Sequence, residues 1–121
     1  MTEQSNRVQR VQRELFETLS NFLLHGLNAP LPSYAAVTAV EVNPNLRHAK
    51  VFFRLVGEAK HVAATEAILE RDRHLFQREV ARELKMKFVP VLRFVYGHSE
   101  KHDEVDLLLE NLKRPKHSFG E

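Results

Sequence analysis

The stretch Val62-Ala63-Ala64-Thr65-Glu66-Ala67-Ile68-Leu69-Glu70-Arg71-Asp72-Arg73-His74-Leu75-Phe76-Gln77-Arg78-Glu79-Val80-Ala81-Arg82-Glu83-Leu84 decides the fold. From about residue 58 to 87 the pattern is helical. Val62, Thr65 and Leu69 share one face, and Phe76, Val80 and Leu84 continue nearly the same stripe. One turn is missing between them, where Asp72 and Arg73 stand. A straight helix would aim those charges at the core, so the spacing predicts a kink or short break at residues 71–74 that turns them outward. The competing reading is one continuous helix with Arg73 snorkelling at its edge.

Upstream of this element lie two β-like runs. Thr38, Val40 and Val42 alternate with Val37, Ala39 and Glu41, and Val51, Phe53 and Leu55 alternate with Lys50, Phe52 and Arg54. This period of two suits strands Ala36–Val42 and Ala49–Leu55 with one face on helices. Asn43-Pro44-Asn45 between them is turn chemistry, and Gly57 ends the second run. Before the hairpin, Val8, Val11, Leu15, Leu19, Phe22 and Leu23 form the apolar face of a first helix. Ser5 or Asn6 is its expected N-cap and Gly26 its end. Downstream, Val89-Pro90-Val91-Leu92-Arg93-Phe94-Val95-Tyr96 reads as a closing strand. Val105, Leu108, Leu109 and Leu112 suit a terminal helix over roughly residues 100–113. The expected architecture is therefore a single α+β domain over residues 6–113: a three-stranded sheet covered on one face by helices. Residues 1–5 and 114–121 are expected to be flexible termini.

Composition excludes several function classes. With 121 residues and 43% apolar content, the chain is an ordinary globular domain. It has no cysteine, hence no disulfide, thiolate metal site or cysteine nucleophile. No stretch approaches a membrane span and the N-terminus has no apolar signal core, so a cytoplasmic protein is expected. There is no Walker loop, Gly-rich dinucleotide turn, GxSxG or HExxH, and the chain has only four glycines. His98 and His102, four apart, with Asp103 or Asp106 as a third ligand, are the one metal-like spacing. Exposed residues at a helix start explain them better, with Ser99 as the N-cap. No catalytic residue, metal or cofactor is expected.

Charge is more informative. The net formal charge is only +2. Between Arg71 and Arg93, however, Arg71, Arg73, Arg78, Arg82, Lys85, Lys87 and Arg93 face only Asp72, Glu79 and Glu83. A local excess of this kind attracts phosphates, although a solvated helix face would carry the same residues. A second helix beginning at the break would place Arg73, His74 and Arg78 near its positive end, with Arg82, Lys85 and Lys87 extending the surface. Arg10, Arg47 and His48 are secondary candidates. Phe52, Phe94 and Tyr96 are the aromatic candidates for stacking bases, and each is at least as well explained as core.

Three stretches in order carry a family resemblance: Asn6-Arg7-Val8-Gln9-Arg10-Val11, then residues 37–52 around Asn43-Pro44-Asn45-Leu46-Arg47-His48, then Phe88-Val89-Pro90-Val91-Leu92-Arg93-Phe94-Val95-Tyr96-Gly97-His98-Ser99. Over residues 6–113 the chain resembles ribosome-binding factor A, a small bacterial protein family. The resemblance implies a type II KH-like domain (α-β-β-α-kink-α-β plus a C-terminal helix) whose kink has the form Ala-x-Gly. Here Asp72-Arg73-His74 stands in its place. The resemblance also implies a non-enzymatic ribosome biogenesis factor. It would bind the free or immature small ribosomal subunit, contact its ribosomal RNA near the neck and decoding region, and assist processing. It would act as a monomer and leave, in some bacteria, with help from an assembly GTPase. Two rivals stand beside this reading: a ferredoxin-like α/β protein-interaction module working through Leu108 or Leu109, and a metal enzyme built on His98 and His102.

Overall fold

The computed structural model describes residues 3–99, with side-chain surroundings for residues 6–98. Helix α1 spans Glu3–His25, strand β1 Tyr34–Val42, β2 His48–Val56, helix α2 Ala59–Arg71, α3 Arg73–Glu83 and strand β3 Val91–Ser99. The sheet runs β1-β2-β3, with β1 antiparallel and β3 parallel to the central β2. A parallel pair needs a crossover, and α2 with α3 supplies it. The expected element order is present. The terminal helix expected near 100–113, with Leu108 and Leu109, lies outside the described residues, as do His102 and the tail.

The core forms where the helices lie on one face of the sheet. Val11, Leu15, Leu19 and Leu23 of α1 lie over β1 and α3 and share one cluster with Val37 and Val40 of β1 and Val51, Phe53 and Leu55 of β2, which Val62, Leu69, Phe76 and Val80 close from α2 and α3. Phe76 is fully buried at the centre. Its ring meets Phe22 at 4.9 Å and Phe94 at 5.3 Å, both edge-on, the geometry aromatic quadrupoles favour. Thr65, the one buried polar residue among those described, is bonded to the Ser33 hydroxyl at 2.8 Å and accepts the Ser33 N–H at 3.0 Å. That bond ties the α1–β1 loop to α2.

The break falls at Asp72, whose φ of −97° and ψ of 10° separate the two helices. Its N–H still reaches the Ile68 carbonyl at 2.9 Å, while its own carbonyl accepts from Leu75 at 2.8 Å, a shortened turn. The interruption leaves Leu69 and Phe76 both buried and Arg73 outside.

Several local expectations are corrected. Helix α1 begins at Glu3, ahead of Ser5 and Asn6. The phase of β1 changes midway: Val37 pairs with Phe53 and Ala39 with Phe52, leaving Thr38 as the extra residue of a bulge. Val37, Val40 and Val42 therefore share the buried face, and Thr38 is exposed. Its hydroxyl donates to the Phe52 carbonyl at 3.2 Å. Helix α3 ends at Glu83, because Leu84 is already extended, so Lys85 and Lys87 stand on a loop. The closing strand starts after Pro90 and runs to Ser99, paired with β2 along its length. His98 and Ser99 are thus strand residues, not the start of a helix. His98 Nε2 lies 2.9 Å from the Glu66 carboxylate, and among the described residues no group of three potential metal ligands exists. No described helix is long and apolar enough to cross a membrane.

Candidate nucleic-acid interface

Three separate segments meet beside the first turns of α1: the β1–β2 turn, the loop after α3 and the start of β3. Each is fixed by side-chain amides. The Asn43 side-chain oxygen accepts the Arg47 and His48 N–H groups, both at 3.1 Å, and Asn45 accepts the Arg47 N–H at 3.0 Å. Leu46 takes a φ of 62°, a left-handed conformation uncommon for a side chain of this size, and so completes the turn. Gln77 of α3 stands in for a missing strand beside β3. It donates to the Pro90 carbonyl at 2.8 Å and accepts the Leu92 N–H at 2.9 Å. Between those two residues, the Val91 N–H reaches the Arg47 carbonyl at 2.9 Å, locking turn to strand. Gln12 of α1 accepts the Val42 N–H at 2.9 Å and fixes the helix to the end of β1.

This framework surrounds an open cleft of about 1270 Å³. Arg7, Arg10, Arg47, Lys85 and Lys87 line it with His48, against two carboxylates, Glu14 and Glu83. None of these five cations forms an ion pair among the described residues. A smaller recess of about 680 Å³ adjoins it through His48 and Val91 and adds Lys50, Arg73 and Arg93, with Glu41 and Glu70. Lys50 and Arg93 are direct partners across β2 and β3, a like-charge pairing, while Glu41 faces Lys50 from β1 on its other side.

The sequence-based candidates therefore divide. Arg10, Arg47, His48, Lys85 and Lys87 come together in the cleft, and Arg73 borders the adjoining recess. His74, Arg78 and Arg82 line neither. At the break the charges are mostly spent internally. Arg71 donates two bonds to Asp72, at 3.0 and 3.1 Å, and these hold the Asp72 carboxyl below its usual range despite partial desolvation. Arg73 Nε lies 3.6 Å from Glu70 and one terminal nitrogen 3.5 Å from the Leu92 carbonyl. Arg82 is 2.7 Å from Glu79 and 3.8 Å from Glu83. The His74 ring faces the Arg71 carbonyl at 3.2 Å. Between α2 and β3 the surface is acidic: Tyr96 donates to Glu70 at 2.7 Å and His98 meets Glu66. Burial, reinforced by that bond, pushes the Tyr96 hydroxyl pKa up.

Of the aromatic candidates, Phe94 is core, and Phe52 and Tyr96 are half-buried. Arg7, Lys50, Arg93 and Phe88 were not among the expected site residues. The Lys50–Arg93 register could not be read before the strands were paired. Phe88 stood in sight as an aromatic between Lys87 and a strand.

A helix–strand–strand–helix–helix–strand domain, with a parallel pair spanned by two helices separated by a break and a basic cleft at one end, defines a KH-like α+β protein. The family model of ribosome-binding factor A matches residues 7–109, and this chain belongs to that family. Ribosome-binding factor A of Bdellovibrio bacteriovorus is 32% identical over 108 residues, covering 88% of this chain and 81% of that one. The Trichlorobacter lovleyi protein of the same name is 31% identical, covering 88% and 87%. The fold is also that of the crystal structure of ribosome-binding factor A from Thermus thermophilus, with a TM-score of 0.62 at 19% identity over 74% of this chain and 93% of the other. A model of the Thermus thermophilus factor fitted into the cryo-EM map of a 30S complex gives 0.57 at 20% identity, covering 69% and 88%.

Proposed function

We propose that this protein is a ribosome biogenesis factor that binds the free or immature small ribosomal subunit through its ribosomal RNA. The observation that carries the reading is the cleft: five cations from three chain segments, held by amide side chains and lacking ion-pair partners among the described residues. Such an array is stable when an anion of spaced charges binds it. RNA phosphates have that form, and their neutralisation releases counterions. The name of the family, and the fitted 30S complex of the Thermus thermophilus factor, support the same target. The mechanism is phosphate neutralisation with recognition of RNA shape, with the assembled particle supplying specificity. Arg10, Arg47, His48, Lys85 and Lys87 are the leading contacts, Arg73 borders them, and His74, Arg78 and Arg82 contribute less.

Co-sedimentation with isolated small subunits, large subunits and joined ribosomes over a salt series tests this. Selective binding to free small subunits, falling steeply with salt, is the expected result. Absence of binding to small subunits at low salt would reject the reading.

A further inference from the structure

Phe88 is the most exposed large apolar side chain among the described residues, 76% accessible, and it lies within the basic cleft. Its position is built rather than accidental. Along the loop, Leu84 and Met86 pack inward while Lys85 and Lys87 point out. Simple alternation would turn residue 88 inward, but Phe88 is exposed and Val89 takes the inward place. Two residues after the ring, Pro90 is buried and its carbonyl accepts from Gln77, so the backbone on that side of Phe88 is held. Lys87 Nζ lies over one face of the ring, 5.7 Å from its centroid, and half-exposed Val91 lines the same cleft. An exposed ring among cations costs apolar hydration and is compensated when a flat π-surface covers it.

We infer that Phe88 is a stacking platform for an unpaired base of the bound RNA, with the surrounding cations holding the phosphates on either side. Bases inside a duplex are already stacked and unavailable, so the ligand chemistry is a single-stranded or bulged segment. The inference rests on the RNA-binding reading above and specifies which form of RNA enters the cleft.

The chain contains no tryptophan, so Phe88→Trp introduces a single reporter. Affinity for free small subunits is measured for the parent, Phe88→Leu, Phe88→Trp and the Arg10→Ala/Lys85→Ala pair, with tryptophan emission followed in the reporter. The expected result for Phe88→Leu is binding weakened by about ten-fold with an unchanged salt slope, since stacking on one base is worth on the order of that factor. Phe88→Trp should keep its affinity, and its emission should be quenched as the indole stacks. Parent-like affinity in Phe88→Leu, or unquenched emission on binding, overturns the inference. Lost affinity with unquenched emission would place the ring against a ribosomal protein, which also overturns it. If the Arg10→Ala/Lys85→Ala pair weakens binding while Phe88→Leu does not, stacking alone has failed. If neither does, the cleft reading has failed with it.

Discussion

The helix break and the basic cleft hold similar numbers of cations and use them oppositely. At the break, Asp72 stands just before α3, its side chain making no capping bond to that helix, and Arg71 is committed to it. Arg73 and Arg82 have carboxylate partners as well, and Arg78 alone of these arginines has no ion pair among the described residues. In the cleft, the cations come from α1, the hairpin turn and the α3–β3 loop, and none is so paired among the described residues. Exposed ion pairs add little to stability, yet each partner carboxylate offsets part of the charge its arginine offers a phosphate. Charge counted along a helix does not separate the cations that the fold pairs internally from those it leaves open. What matters is which charges the fold leaves unanswered.

This contrast can be broken most forcefully by charge reversal. Arg10→Glu with Lys85→Glu should lower small-subunit affinity by about three orders of magnitude at moderate salt, read by co-sedimentation, with the melting temperature nearly unchanged because both side chains are exposed. Gln77→Ala should cost about 2 kcal/mol in denaturant unfolding, since the buried Pro90 carbonyl and the Leu92 N–H both lose a partner. It should also weaken RNA binding by releasing the loop that carries Lys85 and Lys87. Asp72→Asn should move the break toward the cleft's behaviour. With Arg71 freed, subunit affinity should rise by a few-fold, and a fall would show that the carboxylate aids binding. The smallest effect is in acid. The Asp72 carboxyl titrates lower in the folded chain than in the unfolded one, so its stabilisation is present above the ordinary aspartate range and is lost as pH falls through the lowered value. Asp72→Asn should therefore flatten the acid limb of the stability profile slightly, as seen in melting temperatures from neutral to strongly acidic pH.

Much of the fold is written in local patterns. The stripe Val62–Thr65–Leu69 and Phe76–Val80–Leu84 located the break because a helix cannot bury Asp72 and Arg73 in turn, and Asn43-Pro44-Asn45 located the hairpin. Other features have no local trace. The extra residue at Thr38 does not interrupt alternation in the sequence; it exists only in the register with Phe52 and Phe53. Ser99 and His98 read as a helix start until β3 is seen to pair with Val56 and Leu55. Gln12 and Gln77 look like surface polar residues, and their roles depend on backbone groups thirty and fifteen residues away. The cleft is invisible for the same reason. Arg10, Arg47 and Lys85 are far apart in the chain, and only tertiary structure makes them neighbours.

The most direct test compares two alanine pairs by the salt dependence of binding to free small subunits: Arg10→Ala with Lys85→Ala in the cleft, and Arg73→Ala with Arg82→Ala at the break. Each phosphate contact removed should reduce the slope of log affinity against log salt by about one. The cleft pair should lose about two in slope and about a hundred-fold in affinity, while the break pair should stay within a few-fold of the parent. A break pair that loses as much as the cleft pair, or a cleft pair that binds like the parent, would contradict this expectation.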